Sequence, residues 1–298
     1  MAGIVRKVQL LCDTIVGNLL KLRVNYDLYV RKQVSMSSQV EPMLMVTLTS
    51  YGHRLRKSVQ YTLYSLLKQT LRPAKIVLWV DVGEFASESL PMGLQVLQRY
   101  GVEIREYPPQ IRSYKKLIPA LEQFPEYHHI IVDDDLYYSS NFIQTLWEEH
   151  QKQTEAIVSL AVTIPVFAED GKTIIPYKQW PQYVAPGQEL IYNPKTLMQL
   201  GYGGILYPNG TFDDEVLKDF LYTKLCPMAD DLWFYIQSVR LGIPKRVPIG
   251  SSVKYYQIDL IRQVLSKDRL HDTNYTQGQN NTQLDNLLVY YNLRIANE

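Results

Sequence analysis

Short apolar runs separated by stretches of helical periodicity constrain this chain more than any other feature. MLMVTL (43–48), KIVLWV (75–80), the short VEIRE (102–106) and HIIV (129–132) read as strands. KSVQYTLYSLLKQ (57–69) carries Val59, Leu63, Leu66 and Leu67 at helical spacing, and Pro73 breaks the chain before the next strand. SLPMGLQVLQRY (89–100) reads as a helix stopped by Gly101, and KKLIPALEQF (115–124) as a helix despite Pro119. Strand–helix alternation of this kind predicts an α/β fold with a mostly parallel central sheet flanked by helices. Apolar runs without polar alternation fit strands buried on both faces. In open sheets of this class ligands bind beyond the carboxyl ends of the strands. TSYGHR (49–54), DVGE (81–84) and VDDD (132–135) leave the strands at those ends.

A chain of 298 residues can bury a substantial core in one large domain or two small ones. Its net charge of +1 gives no general attraction to nucleic acid. Two cysteines, Cys12 and Cys226, allow neither a disulfide framework nor a CxxC metal site, so a reducing compartment is expected. No apolar run approaches the ~20 residues that cross a bilayer. The N-terminus has no compact apolar core with a small-residue cleavage site, so it does not read as a signal peptide. A cytoplasmic protein is expected, with the inner face of the membrane as a further location. Residues 1–34 suggest the latter. Ile4, Val8, Leu11, Ile15, Leu19 and Leu22 make one apolar helical face, and six Lys/Arg stand against Asp13 and Asp27. Such a basic amphipathic helix packs on its own domain, on a second subunit in a homodimer, or on an anionic membrane surface. SMSSQ (35–39) reads as a linker. The expected organisation is an N-terminal helical segment (1–40), a main α/β domain (41–250) and a C-terminal tail (251–298).

The densest charge lies in HHIIVDDDLYYSSNF (128–142). Adjacent carboxylates repel by about 4 kcal/mol per pair at 4 Å and an effective dielectric near 20, so something must offset Asp133, Asp134 and Asp135. One reading is a helix cap, although Ser139, Ser140 or Asn141 can cap FIQTLWEEH without them. The other is a divalent cation. Hard carboxylate oxygens suit Mg²⁺ or Mn²⁺, and in an extended segment Asp133 and Asp135 face the same way. A second pair, Asp230 and Asp231, opens a helical pattern that ends at Gly242. It sits where the backbone dipole favours negative charge, as a cap or as a general base for an incoming hydroxyl. Gly203 and Gly204 in YGGILYPNG (202–210) allow a tight turn or the close approach of a ligand. Arg112, Lys115 and Lys116 in RSYKKL (112–117) can meet a diphosphate or form a solvated basic face.

Taken in order, these motifs resemble glycosyltransferases of the GT-A fold, most closely family 2. The run RSYKKLIPAL…IIVDDDLYY…GGILYP…CPMADDLWF also resembles a bacterial subgroup of polysaccharide or lipopolysaccharide sugar transferases. The resemblance covers residues 43–250. It implies a Rossmann-like nucleotide-binding domain that uses Mn²⁺ or Mg²⁺ and a nucleotide-diphosphate sugar, with UDP as the family habit. It implies a saccharide or lipid-linked saccharide acceptor and inversion at the anomeric carbon. Thr49, Ser50 and Tyr51 would line the base pocket, Asp81 would contact the base, and Lys115 would approach the diphosphate. Arg54 and Asp134 join that nucleotide-sugar set. Asp133 and Asp135 would be the DXD metal pair, with His271 in the tail as a further ligand. Asp231 would be the base, Asp230 its support, and Gly203 and Gly204 the acceptor loop. The pair here is Asp-Asp where family 2 has Glu-Asp. The Q-x-x-R-W motif of processive synthases is absent. The rivals are a sugar-nucleotide pyrophosphorylase, which should carry an early Gly-rich loop, and a non-catalytic sugar- or nucleotide-binding protein of the same fold.

Overall fold

Residues 2–86, 89–170, 173–184, 193–258 and 279–295 are described by a computed structural model of the chain. The first elements are α1 (Ala2–Asn25), a π-helical turn (Tyr26–Arg31), β1 (Val40–Thr49), α2 (Gly52–Lys57), α3 (Val59–Leu67), β2 (Arg72–Asp81), α4 (Met92–Gln98) and β3 (Val102–Tyr107). A 3₁₀ segment (Pro109–Lys116), α5 (Ile118–Gln123), β4 (His128–Ile131), β5 (Leu136–Tyr138), α6 (Phe142–His150), β6 (Ile157–Ser159) and β7 (Ala161–Thr163) follow. The chain continues through β8 (Gln182–Val184), β9 (Met198–Gln199), β10 (Ile205–Tyr207), α7 (Asp219–Leu225), α8 (Asp230–Arg240), β11 (Lys245–Arg246), β12 (Tyr255–Gln257) and α9 (Gln279–Tyr290).

These elements form two compact units. The first comprises residues 1–107, 133–144 and 253–266, and the second 108–132, 145–252 and 267–298. In the first unit β1, β2 and β3 pair in parallel, with Val46 opposite Ile76 and Ile76 opposite Val102. Leu44, Met45, Val46 and Leu48 are fully buried, as are Val77, Leu78, Trp79 and Val80. The apolar runs thus meet protein on both faces, which explains their lack of alternation. Every residue of α3 is buried. The polar Thr47 is accommodated because its hydroxyl accepts the Trp79 indole N–H at 2.9 Å. A small antiparallel ladder joins β5 to β12.

In the second unit β10 runs antiparallel to both β4 and β6, while β11 is parallel to β6. Both units are α/β, with most of the long pairings parallel, as the alternation predicts. The single helix expected over 115–124 is split at Leu117 into the 3₁₀ segment and α5. The cause is Pro119, which occupies the first turn of α5, where its missing N–H is no loss. Helix α8 is buried over Leu232–Ile236. Among the described residues no helix is long and apolar enough to cross a membrane.

Candidate active site

The first unit holds an acidic rim. Thr49, Ser50 and Tyr51 leave the carboxyl end of β1, and Asp81 ends the parallel β2 two residues beyond Trp79, the partner of Thr49. Thr49 donates its hydroxyl to the Trp79 carbonyl at 3.0 Å. Tyr51 is exposed, and Arg54 on α2 lies 5.5 Å from its ring centre. The Asp triplet departs from the extended geometry expected of it, because Asp134 and Asp135 form a turn leading into β5. The two that share a partner are therefore neighbours. Arg54 Nη1 contacts Asp134 Oδ1 at 2.8 Å and Asp135 Oδ2 at 3.2 Å. The other oxygen of Asp134 accepts the Ser50 hydroxyl at 2.5 Å. Asp134 is thereby a buried tie between the triplet and the loop after β1. The Asp133 amide donates to the Tyr138 hydroxyl at 3.2 Å, and the Asp135 carbonyl accepts the Ile258 amide at 3.0 Å.

Electrostatics set the rim's chemistry. Burial raises the Asp134 carboxyl, against the pull of Arg54 and the Ser50 hydrogen bond. Burial, with Asp133 and Asp134 alongside, pushes Asp135 up to about 7, and Arg54 opposes the rise. Asp134 and Asp135 share the Arg54 guanidinium, and the charge of Asp133 acts on both, so the carboxyl groups of the rim repel one another. Hard oxygen donors under that repulsion fit Mg²⁺ or Mn²⁺. Among the described residues no group of three or more His, Cys, Asp or Glu side chains is placed to hold a metal ion by itself.

The second unit holds the acidic pair. Asp230 and Asp231 are the first residues of α8, after Ala229, which offers no capping side chain. Their carboxylates reach sideways. Asp230 Oδ2 lies 3.2 Å from Lys116 Nζ, and Asp231 Oδ2 accepts the Gly201 amide at 3.1 Å. A Cβ on Gly201 would fall 2.8 Å from Asp231 Oδ1 and 3.4 Å from Lys116 Nζ. Glycine is what lets that amide approach. Tyr202, mostly buried, has its hydroxyl pushed up to about 12, first by burial and then by Asp231. Lys115 is also buried, and burial lowers its ammonium. The 3₁₀ segment carrying these lysines is strained at Arg112, whose φ of 47° is unusual for a side-chain-bearing residue.

Gly203 has a packing reason. A Cβ there would lie 2.2 Å from Ala161 Cβ, so its closeness is to β7, and Gly204 turns the chain at φ +85°. From the sequence Gly201 gains no site assignment, and Lys116 stands only as one of three basic residues that can meet a diphosphate, not as the partner of Asp230. Their signals were present, Lys116 as the second lysine of RSYKKL and Gly201 as the first glycine of the same loop as Gly203. His271 lies outside the described residues.

No known protein family matches this sequence, and no curated protein matches it. Among solved structures it is similar to CMP:2-keto-3-deoxy-manno-octonic acid synthetase complexed with CTP, at 13% identity and a TM-score of 0.41 over 70% of this chain and 89% of the other. The inositol-1-phosphate CTP transferase from T. maritima gives 13% identity and 0.43 over 86% and 98%. S. aureus TarS 1–349 in complex with UDP gives 16% and 0.45 over 73% and 60%. At these overlaps no activity passes to this chain, and its own residues carry the reading below.

Proposed function

We propose that this chain is a metal-dependent glycosyltransferase. It moves a sugar from a nucleotide-diphosphate sugar, with UDP as the nucleotide, to a hydroxyl of a saccharide or lipid-linked saccharide, in bacterial surface polysaccharide synthesis. The observation that carries this reading is Asp134, which ties the acidic triplet to Ser50 and Arg54 at the carboxyl ends of the β-strands. Asp133 and Asp135 hold Mn²⁺ or Mg²⁺ in this reading, and when bound the ion supplies charge compensation for a leaving diphosphate. Lys115 adds positive charge at the diphosphate, and Tyr51 offers its exposed ring to the base. Asp231 takes the proton from the acceptor hydroxyl as that oxygen bonds to the anomeric carbon. The bond from that carbon to the diphosphate breaks, the nucleoside diphosphate leaves, and the configuration inverts. Lys116 fixes Asp230, and the Gly201 amide fixes Asp231.

The experiment is a screen of nucleotide sugars for Mn²⁺-dependent release of nucleoside diphosphate, with thermal stability measured alongside. UDP and Mn²⁺ together are expected to raise the melting temperature more than the sum of their separate effects. Asp231→Asn is expected to keep that shift while lowering turnover by about 10²-fold. Pyrophosphate release from a nucleoside triphosphate and a sugar phosphate would establish nucleotidyl transfer instead. Nucleotide binding without turnover of any donor would establish a binding protein.

A further inference from the structure

We infer that the outer face of α1 and the π-helical turn docks on a membrane and takes anionic phospholipid, with the headgroup phosphate in a cationic recess beside it. This does not depend on the transferase reading. Ile15, Leu19, Leu22, Tyr26 and Val30 are between 52% and 67% exposed. Spacings of four, three, four and four place them on one stripe, about 22 Å long at the helical rise. The helix attaches to its unit through the opposite side. Val24 and Leu28 are fully buried, and a Cβ on Gly17 would lie 3.1 Å from the Gln257 carbonyl of β12. The exposed stripe is therefore additional to what the fold needs. A contiguous apolar patch of this kind marks an interaction surface.

Charge selects the occupant. Arg23 follows Leu22, Asp27 follows Tyr26 and Arg31 follows Val30, so a charged row borders the stripe along one side. That row opens into a recess of about 240 Å³ lined also by Gln33, Lys68 and Tyr100. Among the described residues lining it Asp27 is the one acidic side chain, and it is held by the Tyr64 hydroxyl and by Arg31 at 3.3 Å. Three cations against one committed carboxylate suit a phosphate ester. An apolar face with a basic border is the pattern of helices that lie in the interfacial plane, and the anionic cytoplasmic leaflet attracts such borders. Two copies packed stripe to stripe in antiparallel would bring the cationic rows together, whereas anionic lipid neutralises them.

The test is co-sedimentation of the full chain with vesicles of phosphatidylcholine, with and without phosphatidylglycerol, alongside light scattering. Binding is expected to rise about tenfold with phosphatidylglycerol and to fall in high salt. Leu19→Glu with Leu22→Glu should reduce sedimentation to background, with an unchanged melting temperature because both positions are exposed. Arg23→Ala with Lys68→Ala should remove the preference for phosphatidylglycerol. The inference is overturned if the double-Glu protein sediments like wild type, or if wild type ignores anionic vesicles. It is also overturned if a lipid-free dimer is dissociated by the Glu substitutions while vesicle binding is unchanged, which would make the stripe a subunit interface.

Discussion

Asp134 gives one carboxylate oxygen to Ser50 and the other to Arg54, while Asp135 meets Arg54 through one oxygen and keeps a more exposed side chain. Neighbours of the same chemistry therefore have opposite consequences. Asp134→Asn exchanges two charge-assisted bonds for weaker ones in a buried place, and should lower stability by about 2 kcal/mol. Urea unfolding reads this as a lower midpoint at constant slope. Asp135→Asn relieves crowding among carboxylates, so its midpoint should not fall, yet Mn²⁺-dependent UDP binding should disappear. Retained Mn²⁺-dependent binding in that variant would move the ion elsewhere. Gly201 makes a third contrast. Gly201→Ala places a methyl group 2.8 Å from Asp231 Oδ1, so the carboxylate or the loop must shift. A displacement of about 1 Å at a catalytic group costs roughly 10²-fold in turnover. Steady-state kinetics should show that loss in kcat with little change in donor binding.

At the level of elements, α1 and its π-helical turn carry apolar residues on two sides, and only one side is bound to the unit. Leu28→Ala should cost about 2–4 kcal/mol through the cavity it leaves. Leu19→Gln should stay within about 0.5 kcal/mol of wild type. Paired denaturation curves compare them directly. This helix also shows what sequence can reveal. Periodicity gives the angle between apolar residues, and it placed Ile15, Leu19 and Leu22 on one stripe. It carries no information about what a stripe faces, and here the stripe faces outward while Val24 and Leu28 anchor the helix. The strands were legible for a related reason, since runs such as MLMVTL have no polar side to give to water. The position of the Asp triplet was equally legible, because a strand must end before three charges. Its geometry was not, because it depends on Arg54, about 80 residues earlier. The links Lys116–Asp230 and Gly201–Asp231 likewise exist only once distant segments are folded together. The antiparallel direction of β10 was hidden as well, since three apolar residues carry no polarity.

Across the whole molecule the formal charge nearly cancels, yet several buried groups cannot hold the charge they would carry in water. His129 and His150, both buried in the second unit, are each lowered to about 4, first by burial. Lys245 is lowered from 10.5 to about 7 by burial alone. Its amine donates to the Lys195 carbonyl at 2.8 Å and lies 5.7 Å from the Tyr235 ring centre. A base whose folded pKa lies below its unfolded one leaves the unfolded chain holding more protons between the two values. Stability then rises with pH across that window. For the histidines the window runs from about 4 to about 6.5, so acid should unfold the protein early. For Lys245 it runs from about 7 to about 10.5. Cys226 tilts the curve the other way at the alkaline end. Its buried thiol is pushed up to about 12, so the folded state keeps a proton that the unfolded state loses above about pH 9. Comparing wild type with Lys245→Met cancels that contribution, because both proteins keep the thiol. Between about pH 7.5 and 9.5, wild type should gain roughly 2 kcal/mol relative to the variant, read from urea midpoints at each pH. Parallel curves would mean that Lys245 keeps its charge in the fold, with the Lys195 carbonyl and the Tyr235 ring together replacing water around an ammonium.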